Sequence, residues 1–76
     1  MNTERRKIYL RLINQAEDLK ETLQHFTNEE EDTYNGLSEE LQESEEGCRL
    51  LGNIDTLNAT LSHIDEIIDS LYDLKK

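Results

Sequence analysis

The residues with chemical capacity in this chain are two histidines, one cysteine and a dense set of carboxylates. His25 follows Glu21 by four residues, and His63 precedes Glu66 by three. Helical side chains meet at these spacings, and metal sites in helix bundles use them. Such a site also needs its ligands inside the bundle, and both histidines fall outside the apolar register. They read as surface residues. The run Glu29-Glu30-Glu31-Asp32 lacks the alternating ligands and central glycine of a calcium loop. Cys48 has no histidine in its own segment, so it reads as a small half-buried hydrophobe rather than a nucleophile. The glycines at 36, 47 and 52 are too scattered to cradle a phosphate. No catalytic residue, metal site or cofactor is expected, and the chain reads as a non-enzyme.

The acids are distributed unevenly. Residues 27–46 hold Glu29, Glu30, Glu31, Asp32, Glu39, Glu40, Glu43, Glu45 and Glu46, and no base. The formal net charge of −10 therefore divides into −9 on this segment and −1 on the rest. Six of the eight bases, Arg5, Arg6, Lys7, Arg11, Lys75 and Lys76, lie near the two ends of the sequence. An acidic surface repels phosphate, which argues against direct binding to nucleic acid. Three readings of the acidic segment stand: a solubilising tip, a binding surface for a basic protein partner, or a weak divalent-cation site. The binding reading extends to nucleic-acid mimicry, in which carboxylates occupy a basic groove and block it. Its rivals are a structural or scaffolding bundle acting through apolar contacts, and an acidic antitoxin paired with a basic toxin.

The elements that position these groups follow from hydrophobic spacing. Tyr9, Leu12, Ala16, Leu19, Leu23 and Phe26 recur at alternating steps of three and four. So do Leu50, Ile54, Leu57, Leu61, Ile64, Ile68 and Leu71. Only a helix places such a series on one face, and the narrow spacing predicts a seam against another helix. Thr3 is a candidate cap for a first helix over about 3–34. Thr27 and Asn28, followed by Glu30 and Glu31, also permit a break after Phe26. Asn35-Gly36 marks a turn within a tip at 35–43, with a helical turn or two from Ser38. Ser44 caps a second helix over about 44–74, in which Gly47 and Gly52 each cost about 1 kcal/mol relative to alanine.

The expected fold is all-α: a single-domain antiparallel helical hairpin over 1–76. One seam buries little surface, so a homodimer, most simply a four-helix bundle, is expected. Its interface is assigned to the apolar residues left outside the seam near the open end: Ile8, Leu10, Ile13, Ile67 and Leu74. A partner protein covering the same surface is the alternative. The single cysteine excludes an intrachain disulfide. No uninterrupted apolar segment resembles a signal peptide or membrane span, so no membrane association and a cytoplasmic location are expected.

The segment Tyr34-Asn35-Gly36-Leu37-Ser38-Glu39-Glu40-Leu41-Gln42-Glu43-Ser44-Glu45 resembles a loop of small acidic helical-hairpin proteins encoded by bacteria, phages and mobile elements. Ser38 stands where that loop usually has proline, and Glu40 where it has serine. The following helix of that group repeats Ile-Asp-x-Leu, similar here to Ile54-Asp55-Thr56-Leu57 and Ile68-Asp69-Ser70-Leu71. The resemblance implies a hairpin and a phage or mobile-element origin. It transfers no functional residue.

Overall fold

A computed structural model describes residues 3–76, and it is helical in nearly its whole length. Helix α1 spans Thr3–Asn35, α2 spans Glu39–Gln42 and α3 spans Glu45–Lys75. The two long helices pack against each other, and α2 packs on α3 at the tip. The molecule measures 59 × 15 × 12 Å, with a radius of gyration of 17.3 Å. A compact domain of this length would have a radius near about 11 Å. The hairpin is a rod.

The absence of proline and the abundance of Leu, Glu, Lys and Gln allow helices this long. Helix α1 runs unbroken through Thr27 and Asn28. Thr27 is fully buried, and its hydroxyl donates to the Leu23 carbonyl at 2.7 Å, so it continues the helix instead of capping a new one. Thr3, expected as a cap, is the first residue of α1 itself, and residues 1 and 2 lie outside the described residues.

On α3 the seam falls where the spacing places it. Ile54, Leu61 and Ile64 are buried, and Leu50, Leu57, Ile68 and Leu71 are half-buried. On α1 the expected register is wrong. The buried and half-buried positions are Tyr9, Ile13, Ala16, Lys20, Leu23, Thr27, Glu30, Glu31 and Tyr34. Leu12, Leu19 and Phe26, expected in the seam, are exposed, Leu19 to 54% and Phe26 to 47%. The two registers share Tyr9, Ala16 and Leu23 and differ in which neighbouring row faces the partner helix. Hydrophobicity favours the wrong row, because the true one contains Lys20, Thr27 and Glu30. Ile13, assigned above to an oligomer interface, is only 2% exposed and belongs to the hairpin's own core.

Polar groups account for how that row is tolerated. Lys20 Nζ meets Asp65 Oδ1 across the seam at 2.5 Å. The Tyr72 hydroxyl donates to Glu17 Oε1 at 3.2 Å, and the Lys75 ammonium sits 5.0 Å from the Tyr72 ring centre. The Lys20–Asp65 and Tyr72–Glu17 contacts tie α1 to α3 along one edge of the rod, and the Lys75–Tyr72 contact lies within α3. They also shift two ionisations. The hydrogen bond to Asp65, reinforced by that carboxylate's charge, holds the Lys20 ammonium above its ordinary 10.5. The bond to Glu17 likewise raises the Tyr72 phenol above 10.0.

The tip depends on a close approach. Ser38 caps α2, its side chain accepting from Leu41 N, and Ser44 caps α3, accepting from Gly47 N at 3.2 Å. Gln42 Nε2 donates to the Tyr34 carbonyl at 3.0 Å, satisfying an end group of α1. Gly36 N bonds back to Asp32 O at 3.0 Å, and the turn forms with no residue at positive φ. Gly47 is buried where the end of α2 crosses α3, and a Cβ there would lie 2.5 Å from Gln42 O and also strike Leu41 O. Glycine is therefore required at 47, whatever it costs the helix. Gly52 has nothing within 4 Å of such a Cβ.

Two measurements follow from this packing. In urea unfolding at fixed protein concentration, Gly52→Ala is expected to gain about 1 kcal/mol. Gly47→Ala is expected to lose about 1–3 kcal/mol by overpacking. The second concerns alkaline pH. Lys20 and Tyr72 have folded-state pKa values above their unfolded ones, so their contributions are complete at neutral pH and fade as pH rises through the raised values. The melting temperature is expected to hold to about pH 9 and fall above about pH 10. Replacing both residues, by Lys20→Met and Tyr72→Phe, should make that fall shallower in circular-dichroism melts.

Candidate functional site

The acidic tip is assembled from three helix ends. Glu29, Glu30, Glu31 and Asp32 occupy the end of α1, Glu39 and Glu40 the first turn of α2, and Glu45 and Glu46 the first turn of α3. Glu43 is the C-cap of α2. Glu30 and Glu31 are half-buried and the other seven are exposed. Among the described residues, the ion pair that reaches this set is Arg49 Nη2 to Glu45 Oε1, at 4.0 Å and largely solvated. A pair of that kind contributes little.

Helix electrostatics divide the nine acids into two groups. Glu39, Glu40, Glu45 and Glu46 sit at helix N-termini, where the macrodipole favours negative charge. Their presence has a local structural cause. Glu29 to Asp32 sit at the C-terminal end of α1, whose last turn holds no base, and Glu43 sits at the end of α2. A carboxylate in the last turn of a helix costs about 0.3–1 kcal/mol at low salt, which applies to Asp32. Glu29 to Glu31 lie one turn earlier, where the dipole effect has faded and their cost is mutual repulsion, and Glu43 directly precedes the Ser44 cap of α3. The four successive residues of α1 also point in different directions, since each step turns the helix by about a hundred degrees. The tip is thus a knob of charge rather than a flat acidic face.

The remaining candidates are dispersed. His25 and His63 are both exposed, and His63 Nδ1 lies 4.0 Å from Glu66 Oε2. Cys48 is exposed, not half-buried as its type implied, because it lies outside the α3 seam beside Gly47. Among the described residues no three His, Cys, Asp or Glu side chains converge as a metal site would require. Of the expected interface residues, Ile8, Leu10, Ile67 and Leu74 are exposed and Ile13 is not. No helix among the described residues is long and apolar enough to cross a membrane.

Sequence reasoning missed an open groove between the long helices, lined by Glu17, Lys20, Gln24, Asp65 and Asp69 among others. Its centre is taken by the Lys20–Asp65 pair, which leaves it a polar edge with no converging donor set. A lysine at a seam position, with an acid on the facing helix, was the signal that could have found it. Comparison with known proteins brings no family model that matches this chain, and no curated protein or solved structure with significant similarity to it.

Proposed function

We propose that this chain is a small interaction protein, not an enzyme, whose acidic tip engages a basic surface on a protein partner. One observation carries the reading: nine acids and no base gather at the tip, four of them the successive residues Glu29 to Asp32 near the C-terminal end of α1, where Asp32 opposes the helix dipole and no base is paired with the four among the described residues. Charge kept where folding disfavours it has its use elsewhere. Held on a rigid rod, such carboxylates attract a basic cleft at long range and take positions that phosphates would otherwise fill. Nucleic-acid mimicry, with inhibition of a DNA-binding protein or nuclease as its result, is the form this proposal takes.

A second reading has its own observation. Large apolar side chains remain exposed along the rod, which favours a bundle protein in which hairpins pair, most simply as a four-helix bundle.

Affinity capture from host lysate, read by mass spectrometry, tests the first reading. Partners bound at low salt are expected to be released by 1 M NaCl and by added duplex DNA. Neutralising the α1 cluster (Glu29→Gln, Glu30→Gln, Glu31→Gln, Asp32→Asn) should weaken capture by about tenfold or more. Capture that survives 1 M NaCl, ignores DNA and is unchanged in the neutralised variant would contradict it.

A further inference from the structure

The seam register assigns every other side chain to an edge of the rod. Leu12, Leu19 and Phe26 recur every seven residues on α1, flanking the seam on one side, and Ile67 and Leu74 flank it on α3. In an antiparallel pair these two flanks lie on the same edge. Phe26 accordingly borders a hollow with Glu30, Asn53, Thr56 and Leu57, away from the polar groove of Lys20 and Asp65. Ile8 lies beside Leu12 at the open end. These six side chains are all between 40% and 54% exposed. The opposite edge carries Glu17, Gln24 and Asp65 and is closed by the Lys20–Asp65 and Tyr72–Glu17 contacts. The first edge carries the longer apolar series, interrupted by Asn53, Thr56 and His63 of α3, whereas on the opposite edge the apolar Leu10 and Leu51 stand among charged and polar groups.

We propose that the apolar edge is covered by the same edge of a second copy, running antiparallel, with a two-fold axis near Leu19. This rests on the second functional reading above; binding through the tip stands or falls separately. Three observations select this occupant. The first is symmetry: Leu12 and Phe26 are equally spaced about Leu19, so a two-fold there sets Leu12 of each copy against Phe26 of the other. An isologous interface requires a patch that is self-complementary in this way.

The second is charge. The antiparallel arrangement lays the base-rich start of α1, with Arg6, Lys7 and Arg11, alongside Glu29 to Asp32 of the second copy. It sends the two acidic tips in opposite directions. A parallel pairing would stack two segments of charge −9 side by side. The third is area. The edge from Ile8 to Phe26 is about 27 Å long at 1.5 Å per residue. Six half-exposed large side chains offer roughly 500 Å² of apolar surface per copy, the non-polar share of a standard interface of about 800 Å² per partner.

Sedimentation equilibrium and cysteine cross-linking test the arrangement. The 8.9 kDa chain is expected to sediment at twice its mass. Leu19→Lys and Ile67→Lys are each expected to halve that mass while the helical circular-dichroism spectrum persists, because neither side chain is buried in the protomer. Leu10→Lys, off the apolar edge, is expected to leave the dimer intact. In a Cys48→Ser background, Leu19→Cys should oxidise to a disulfide-linked dimer, since the axis brings the two residues 19 together, whereas Leu12→Cys should not. A monomeric wild-type chain would overturn the proposal, as would a dimer indifferent to Leu19→Lys. Cross-linking through Leu12→Cys as readily as through Leu19→Cys would overturn the antiparallel orientation.

Discussion

Everything in this structure depends on a single narrow seam. Two helices bury one stripe of each other and no more, so the rotation of each helix about its own axis decides which side chains form the core and which are left in water. At the tip that rotation is constrained by α2, whose end crosses α3 where Gly47 has no side chain, and by the Gln42 bond to the end of α1. Along the rod it is held by the Lys20–Asp65 and Tyr72–Glu17 contacts on one edge. With those fixed, Ile13 turns inward and Leu19 outward. The apolar edge and the polar edge follow from that rotation.

The charge pattern is a second consequence of the rod. In a globular domain of 76 residues no two groups would be far apart, but here the long dimension is 59 Å, several Debye lengths at physiological salt. The acidic end and the base-rich end therefore act as separate electrical objects. The tip combines acids that helix N-termini favour with the run Glu29 to Asp32, which has no such support and whose last member opposes the end of α1, and only the latter group calls for an explanation beyond folding.

Much of the fold was legible in the residues, and for a physical reason. The α3 positions from Leu50 to Leu71 leave no choice of face, because every third or fourth residue is large and aliphatic and those between are mostly polar. Ser38 and Ser44 signalled the breaks around α2 through capping chemistry that acts locally. Helix α1 was harder because its apolar residues span an arc wider than one seam. Spacing alone chose Leu12, Leu19 and Phe26, while packing chose Ile13, Lys20 and Thr27, whose polar atoms find partners that no local pattern reveals. Gly47 was unreadable for a similar reason: its role depends on where a different helix ends. The acidic residues of the candidate site were legible in full, but their division into favoured and unsupported groups required the helix ends.

The register of α1 is the claim on which the core, the exposed edge and the proposed pairing all rest. Isotope-filtered methyl NOESY on protein labelled at Ile and Leu methyls tests it directly, because filtering separates contacts within a chain from contacts between copies. Intramolecular cross-peaks are expected from Ile13 to α3 seam methyls such as those of Ile68 or Leu71. Ile13 without cross-helix contacts, while Leu12 and Leu19 carry strong intramolecular ones to the same α3 residues, would contradict that register.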